Sequence, residues 1–240
     1  ALGNPGGYDA KYFAQIDESR IKIKLLPLLT RKIEADRILL KGLKINLEKD
    51  EQGVGNWRKF NSGEDQDQAF PLAALGAFAI GGISISAAQI NWNDRQTDNR
   101  LNFTELNLET ERLKLNEPTG LALNFIATSQ HPSITGQISL TTELTLKKTL
   151  DQLDLKQIAL DAETSGELTH GNKLPLRLKG NAAIDLQHDR AKLTDLQISS
   201  GDLLIQAQLA GEHIADRPHF AGPVTIAQLN PRQLLQQWHM

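Results

Sequence analysis

Three observations predict a mainly β protein, a sandwich, a barrel or an open curved sheet, and a fourth, the bulge spacing described below, favours a long, strongly bent meander. Apolar and polar residues alternate with period two through most of the chain, the mark of half-buried strands. Helical periodicity is scarce. Turn-forming residues recur at intervals that leave strands of about eight to twelve residues.

The elements follow in order. Ile21, Ile23 and Leu25 alternate with Lys22 and Lys24, which reads as a strand. Pro27–Ile33 has the pattern of one turn of helix opened by proline. A strand through Leu43, Ile45 and Leu47 follows, and Asp50-Glu51-Gln52-Gly53 is expected to close it as a hairpin. Residues 61–68 are polar, acidic and without apolar anchors, so 61–82 reads as a flexible loop, with the alanine-rich Phe70–Phe78 stretch as a lid or short helix. Beyond it, Leu140, Leu144 and Leu146, then Leu174, Leu176 and Leu178, then Leu203, Ile205, Ala207 and Leu209 alternate with polar residues. Turns are expected at 116–120 and 170–173. At the C-terminus Asn230 can cap, Pro231 fits a first helical position, and Leu234, Leu235 and Trp238 share a face, predicting a short helix.

Four segments carry a different spacing, apolar-x-x-apolar-x-apolar: Leu40…Leu43-Lys-Ile45, Phe103…Leu106-Asn-Leu108, Leu155…Ile158-Ala-Leu160 and Leu193…Leu196-Gln-Ile198. A three-residue step reverses strand parity, so the apolar side would change faces at each. A β-bulge absorbs the extra residue and adds local bend and twist.

The chain has 240 residues, a net charge of −3, no cysteine and a single methionine, Met240. Disulfides, thiolate metal sites and cysteine nucleophiles are excluded. There is no basic surplus of the kind nucleic-acid binding needs. Residues 69–85 are the most apolar run, but with Pro71 and several glycines and alanines they fall short of the roughly 20 residues of a bilayer span. Residues 1–60 are net basic and the rest net acidic, which at this density is ordinary surface variation. The chain begins with Ala1, so its natural N-terminus is expected to lie upstream.

Motifs for chemistry are few. The six histidines form no metal-ligand spacing. Asp65 and Asp67 lack the glycine and glutamate of a calcium loop. Asp94 and Asp98 flank a turn, where acid–base catalysis and simple turn closure by side-chain hydrogen bonds are both readings. There is no GxSxG and no phosphate-cradling glycine loop. The expectation is a protein that is not an enzyme and carries no cofactor or metal. What remains is one aliphatic face per strand. In a sandwich a second sheet covers it; in a bent trough it stays open to alkyl chains, which need area and no directed hydrogen bonds. Periodicity does not choose between the two.

Leu2-Gly-Asn-Pro-Gly-Gly-Tyr8, Leu25-Leu-Pro-Leu-Leu29, Ile38–Leu47 and Gly53-Val-Gly-Asn-Trp57 resemble the N-terminal region of AsmA family proteins. Ile83–Asp94, Leu106–Thr110 and Leu229–Leu235 continue the resemblance in the same order. It implies an envelope protein of a Gram-negative bacterium, held in the inner membrane by an N-terminal helix that this sequence lacks and projecting into the periplasm. It also implies a β-groove along which phospholipid acyl chains pass while headgroups stay in water, in support of outer-membrane assembly. On that resemblance the meander becomes a long, strongly curved antiparallel sheet forming an open hydrophobic groove. It would be one continuous domain: 1–60 the N-terminal part, 61–82 the loop or lid, and 83–240 the continuation ending in a short helix. The candidate lipid-binding lining is Ile38, Leu40, Leu43, Ile45, Ile83, Ile85, Phe103, Leu106, Leu108, Leu123, Phe125, Leu144, Ile158, Leu160, Leu196, Ile198, Leu203 and Ile205. Expected partners are phospholipid, the inner membrane and other envelope proteins, with no nucleic acid. No catalytic residue comes with the resemblance; Gly53–Trp57 and Asn91–Asp94 read as structural, with turn glycines and a buried tryptophan. A β-rich scaffold that binds envelope proteins without moving lipid is the alternative.

Overall fold

The computed structural model describes residues 1–23, 34–58, 79–147, 149, 151–214 and 217–238. They contain one sheet of 15 strands. In chain order these are β1 (Leu2–Gly3), β2 (Tyr12–Gln15), β3 (Glu18–Ile23), β4 (Glu34–Lys41), β5 (Lys44–Lys49), β6 (Ala79–Asp94), β7 (Asn99–Thr110), β8 (Thr119–Ser129), β9 (Ile134–Leu146), β10 (Gln152–Gly166), β11 (Leu174–Asp185), β12 (Arg190–Ser200), β13 (Leu203–Glu212), β14 (His219–Ala221) and β15 (Val224–Ile226). A helix α1 (Pro231–Gln237) follows, and Asn230 Oδ1 accepts the Arg232 N–H at 3.0 Å. No helix among the described residues is long and apolar enough to cross a membrane. The helical turn expected at 27–33 and the loop and lid expected at 61–78 lie outside the described residues. Residues 79–82 already belong to β6.

From β6 to β14 each strand pairs antiparallel with the next, and the sheet is not closed. The N-terminal side departs from the antiparallel expectation: β4 and β5 both run parallel to β6. Glu34↔Ala79 and Lys49↔Asp94 keep the same offset, so β4 and β5 act as one interrupted strand along the whole length of β6. Parallel pairing needs a long crossover, which residues 50–78 supply and a tight turn does not. The expected hairpin at Asp50–Gly53 correspondingly returns the chain only to a single bridge, Lys49↔Gly55. Both ends of the sheet are split. β3–β4 and β1–β2–β5 flank opposite halves of β6, while β14 and β15 share one edge of β13.

The parity reversals are present at all four predicted segments. Each holds a residue of positive φ at its second intervening position: Gly42 (66°), Glu105 (52°), Gln157 (52°) and Asp195 (53°). A fifth, Ala87 (52°), sits in Ile85-Ser-Ala-Ala88-Gln-Ile90, the same spacing with alanine at its middle apolar position. Left-handed backbone costs a non-glycine residue about 1–2 kcal/mol. In β6, β7, β10 and β12 these positions coincide with register shifts against the neighbours. The shifts keep every apolar set on one side. Only Ala88, Ala182, Ala207 and Leu234 are buried hydrophobic residues among the described ones. The three alanines lie among directly paired Leu106, Leu155, Leu193 and Leu196. No second sheet covers the apolar side in the described structure.

Candidate apolar binding face

Residues directly opposite each other on paired strands point to the same side of a sheet. The observed pairs therefore trace a row across the molecule: Leu40↔Ile85↔Leu108↔Leu123↔Leu140↔Leu160↔Leu178↔Ile198↔Ile205↔Ile226. Ten strands each contribute one leucine or isoleucine, without interruption. Nine strand spacings of about 4.8 Å make this row roughly 43 Å long. A second row, Leu144↔Leu155↔Ala182↔Leu193↔Leu209, runs on the same face. Phe103 and Phe125 add an edge-to-face contact with centroids 5.7 Å apart.

All eighteen residues of the predicted lining fall on this face and all are half-buried. Ile38 and Ile83 pair directly, as do Ile45 with Ile90 and Ile90 with Phe103. Leu106, Leu144, Ile158, Leu196 and Leu203 join through Ala88, Leu155, Gly180, Ala207 and Ser200. Leu43 faces the Ala88 level, its carbonyl accepting the Gln89 N–H at 2.8 Å. Among the residues of this face that the lining leaves out are Leu140, Leu178, Ile90, Ile138 and Ile226, and Leu155, Leu193 and Leu209 of the second row. The first two stood in strands already read as alternating, so the periodicity that marked their neighbours marks them as well. Ile226 lies in a three-residue strand, too short for periodicity to register.

The other face is polar. Arg177 Nε lies 3.1 Å from Asp161 Oδ1 across β10 and β11, Lys173 Nζ 2.6 Å from Glu163, and Lys147 Nζ 3.4 Å from Asp154. Exposed pairs of this kind contribute at most about 1 kcal/mol each; their placement marks the water side. A depression of ≈ 490 Å³ on that side is lined by Asp154, Asp185, Arg190, Lys192 and Glu212 together with Ala183, Ile184, Ala191 and Ala210.

The face ends in a polar clasp built from the segments singled out by motif. Glu48, 4% exposed, accepts the Asn4 amide at 3.0 Å and the backbone N–H groups of Asp9 and Ala10 at 2.8 and 2.9 Å. Asn56, 0% exposed, accepts the Glu48 N–H at 3.1 Å and donates to Asn4 Oδ1 at 3.0 Å and Asn46 O at 2.8 Å. Arg95 donates to Gly7 O at 2.7 Å, and Tyr8 to Val54 O at 3.1 Å. Burial and the Asp50 carboxylate push the Tyr8 hydroxyl pKa up. The tryptophan expected to be buried is not: Trp57 and Trp92 are half-buried and meet at a tilt with ring centroids 5.4 Å apart, and no second layer encloses them among the described residues. The buried member of Gly53–Trp57 is Asn56 instead.

Asp94 closes its turn, Oδ1 accepting the N–H groups of Gln96 and Thr97 at 3.0 and 3.2 Å. Asp98 takes the left-handed conformation of the same turn. No cluster of His, Cys, Asp or Glu among the described residues is arranged to hold a metal ion.

Residues 1–213 match the family model described as AsmA family. No curated protein and no solved structure matches the chain.

Proposed function

The chain belongs to the AsmA family, and from that premise we propose that it is a lipid-binding segment of an envelope protein, receiving phospholipid acyl chains along its aliphatic face. The observation that carries this reading is the row of ten directly paired leucines and isoleucines, nine of them half-buried and the last, Ile226, exposed, with no second layer over them among the described residues. An uncovered apolar strip of that length on a soluble domain calls for an apolar occupant. Alkyl chains fit because the strip is aliphatic and offers no ordered set of hydrogen-bonding groups. At about 0.8 kcal/mol per buried methylene, one chain lying on it gains several kcal/mol. Headgroups would stay at the strand ends, in water. Family membership is consistent with a role in lipid transport or envelope biogenesis. We place the full-length protein in the periplasm of a Gram-negative bacterium, anchored to the inner membrane, with the sheet curved into a groove.

The test is mass spectrometry of an organic extract of the purified chain, together with photoreactive residues at Phe103 and Leu106. Phospholipid in the extract and a lipid adduct at both positions are expected. Lipid-free protein without adducts overturns the reading. Capture of a defined envelope protein that survives Leu123→Asp and Leu140→Asp would favour a scaffold instead.

A further inference from the structure

Four residues other than glycine hold a left-handed backbone in mid-strand among the described residues: Ala87, Glu105, Gln157 and Asp195. They are not independent. Asn107 Oδ1 accepts the Ala87 N–H at 3.1 Å, while its Nδ2 donates to Glu105 O at 2.7 Å and to Asn124 Oδ1 at 3.1 Å. Asn181 Oδ1 accepts the Gln157 N–H at 3.0 Å, while its Nδ2 donates to Asp195 Oδ2 at 2.9 Å. One asparagine thus ties two left-handed residues and three adjacent strands, first across β6–β7–β8 and again across β10–β11–β12. Each asparagine also stands opposite the extra residue of the bulge it serves. Asn107 lies between the pairs Ile85↔Leu108 and Ala88↔Leu106, and Asn181 between Leu155↔Ala182 and Ile158↔Gly180.

The consequence falls on the opposite face. Between β6 and β7 the two bulges cancel in register, since Ile85↔Leu108 and Ile90↔Phe103 have the same offset. They do not cancel in parity: without them, Ile90, Trp92, Leu101 and Phe103 would turn to the polar side while Ile85 and Leu108 stayed. Strand β8 carries no bulge, so β7 would also slip against it and lose Phe103↔Ala127. We propose that Asn107 and Asn181 are positioning residues, sited on the water side, that keep the apolar face continuous by locking these reversals in pairs. An asparagine is suited to this because its amide accepts and donates at once. The role in lipid binding rests on the function proposed above; the role in strand orientation does not.

The experiment uses the absence of native cysteine. A disulfide between Phe103→Cys and Ala127→Cys reports the parity of β7 beyond its bulge, and a photoreactive residue at Leu101 reports lipid. Adding Asn107→Ala takes the partner from the Ala87 N–H, the Glu105 carbonyl and Asn124 Oδ1 together, and is expected to cut disulfide formation roughly tenfold. Adding Ala87→Gly and Glu105→Gly as well restores it, because glycine takes the left-handed conformation unaided. Lipid labelling should fall and return in parallel. Disulfide changes as expected with no lipid adduct in any variant would uphold the positioning role and refute the lipid reading alone. A disulfide indifferent to Asn107→Ala, or one the glycines fail to restore, overturns the proposal. Asn181→Ala, rescued by Gln157→Gly and Asp195→Gly, repeats the test on the second clasp.

Discussion

The clasp at the N-terminal edge and the aliphatic row beside it invert the usual division of a soluble protein. In the clasp, the side chains sealed from water are a carboxylate and an amide, Glu48 and Asn56, each with its hydrogen-bonding groups engaged. In the row, side chains that normally fill a core stay half-buried on a single layer. Polar groups are buried only when paired, so the clasp is a region where a small truncation is expensive. The row gains little from each residue until something covers it.

The largest expected effect is in the clasp. Asn56→Ala strands the Glu48 N–H, the Asn46 carbonyl and the Asn4 amide oxygen, and should cost about 3 kcal/mol, read as a lower urea midpoint. A cost under about 1 kcal/mol would mean that the clasp is ornamental. Gly180→Ala comes next, because here the apolar region is tight against backbone rather than side chain. A Cβ there would stand 3.2 Å from Leu196 Cα and from Thr194 O, backbone that cannot rotate away. The expected loss is about 2 kcal/mol by the same measurement. Leu140→Ala, in the middle of the row, should cost only about 1 kcal/mol in lipid-free protein, against about 2–5 for an enclosed leucine. A loss in that higher range would show the face to be covered and would break the comparison. The smallest effect lies on the polar face. His188 Nδ1 stands 2.9 Å from Asp185 Oδ2, and this hydrogen bond, with the His188 N–H, holds the Asp185 carboxyl below its ordinary value of 3.8. Its contribution is present above the ordinary value and is lost as pH falls through the depressed one. In a carboxyl NMR titration, His188→Ala should move the Asp185 midpoint upward, and at neutral pH it should lower the urea midpoint only slightly, because the pair is exposed.

Much of the open region was legible from sequence. Period-two leucines gave strand faces, and the three-residue steps at Leu40, Phe103, Leu155 and Leu193 gave the bulges, because a parity change leaves a mark in spacing alone. Ala87 escaped for want of a large side chain at position 88. The clasp was far less legible. Asn4 is distant in sequence from Glu48 and Asn56, all three are polar, and nothing in their spacing distinguishes a buried acceptor from a surface one. Parallel pairing of β4 and β5 with β6 was hidden for a related reason: strand direction is decided by a crossover whose length, not composition, matters. Resemblance drew attention to the clasp motifs but assigned burial to Trp57 rather than to Asn56.

That parallel ladder also bears on the order of assembly. Strands β6 to β13 are joined through short connections, so each can dock on its predecessor at small entropic cost and the array can zip up from any hairpin. The partners of β6 in β4 and β5 must wait for the chain of residues 50–78 to close, a slower search. Refolding should therefore show two phases, with the N-terminal strands arriving last on a sheet already standing. Until they arrive, the first edge of that sheet is β6 itself, sixteen residues long and ready to pair with a stranger. The interval before its own strands return is the protein's moment of greatest exposure to aggregation.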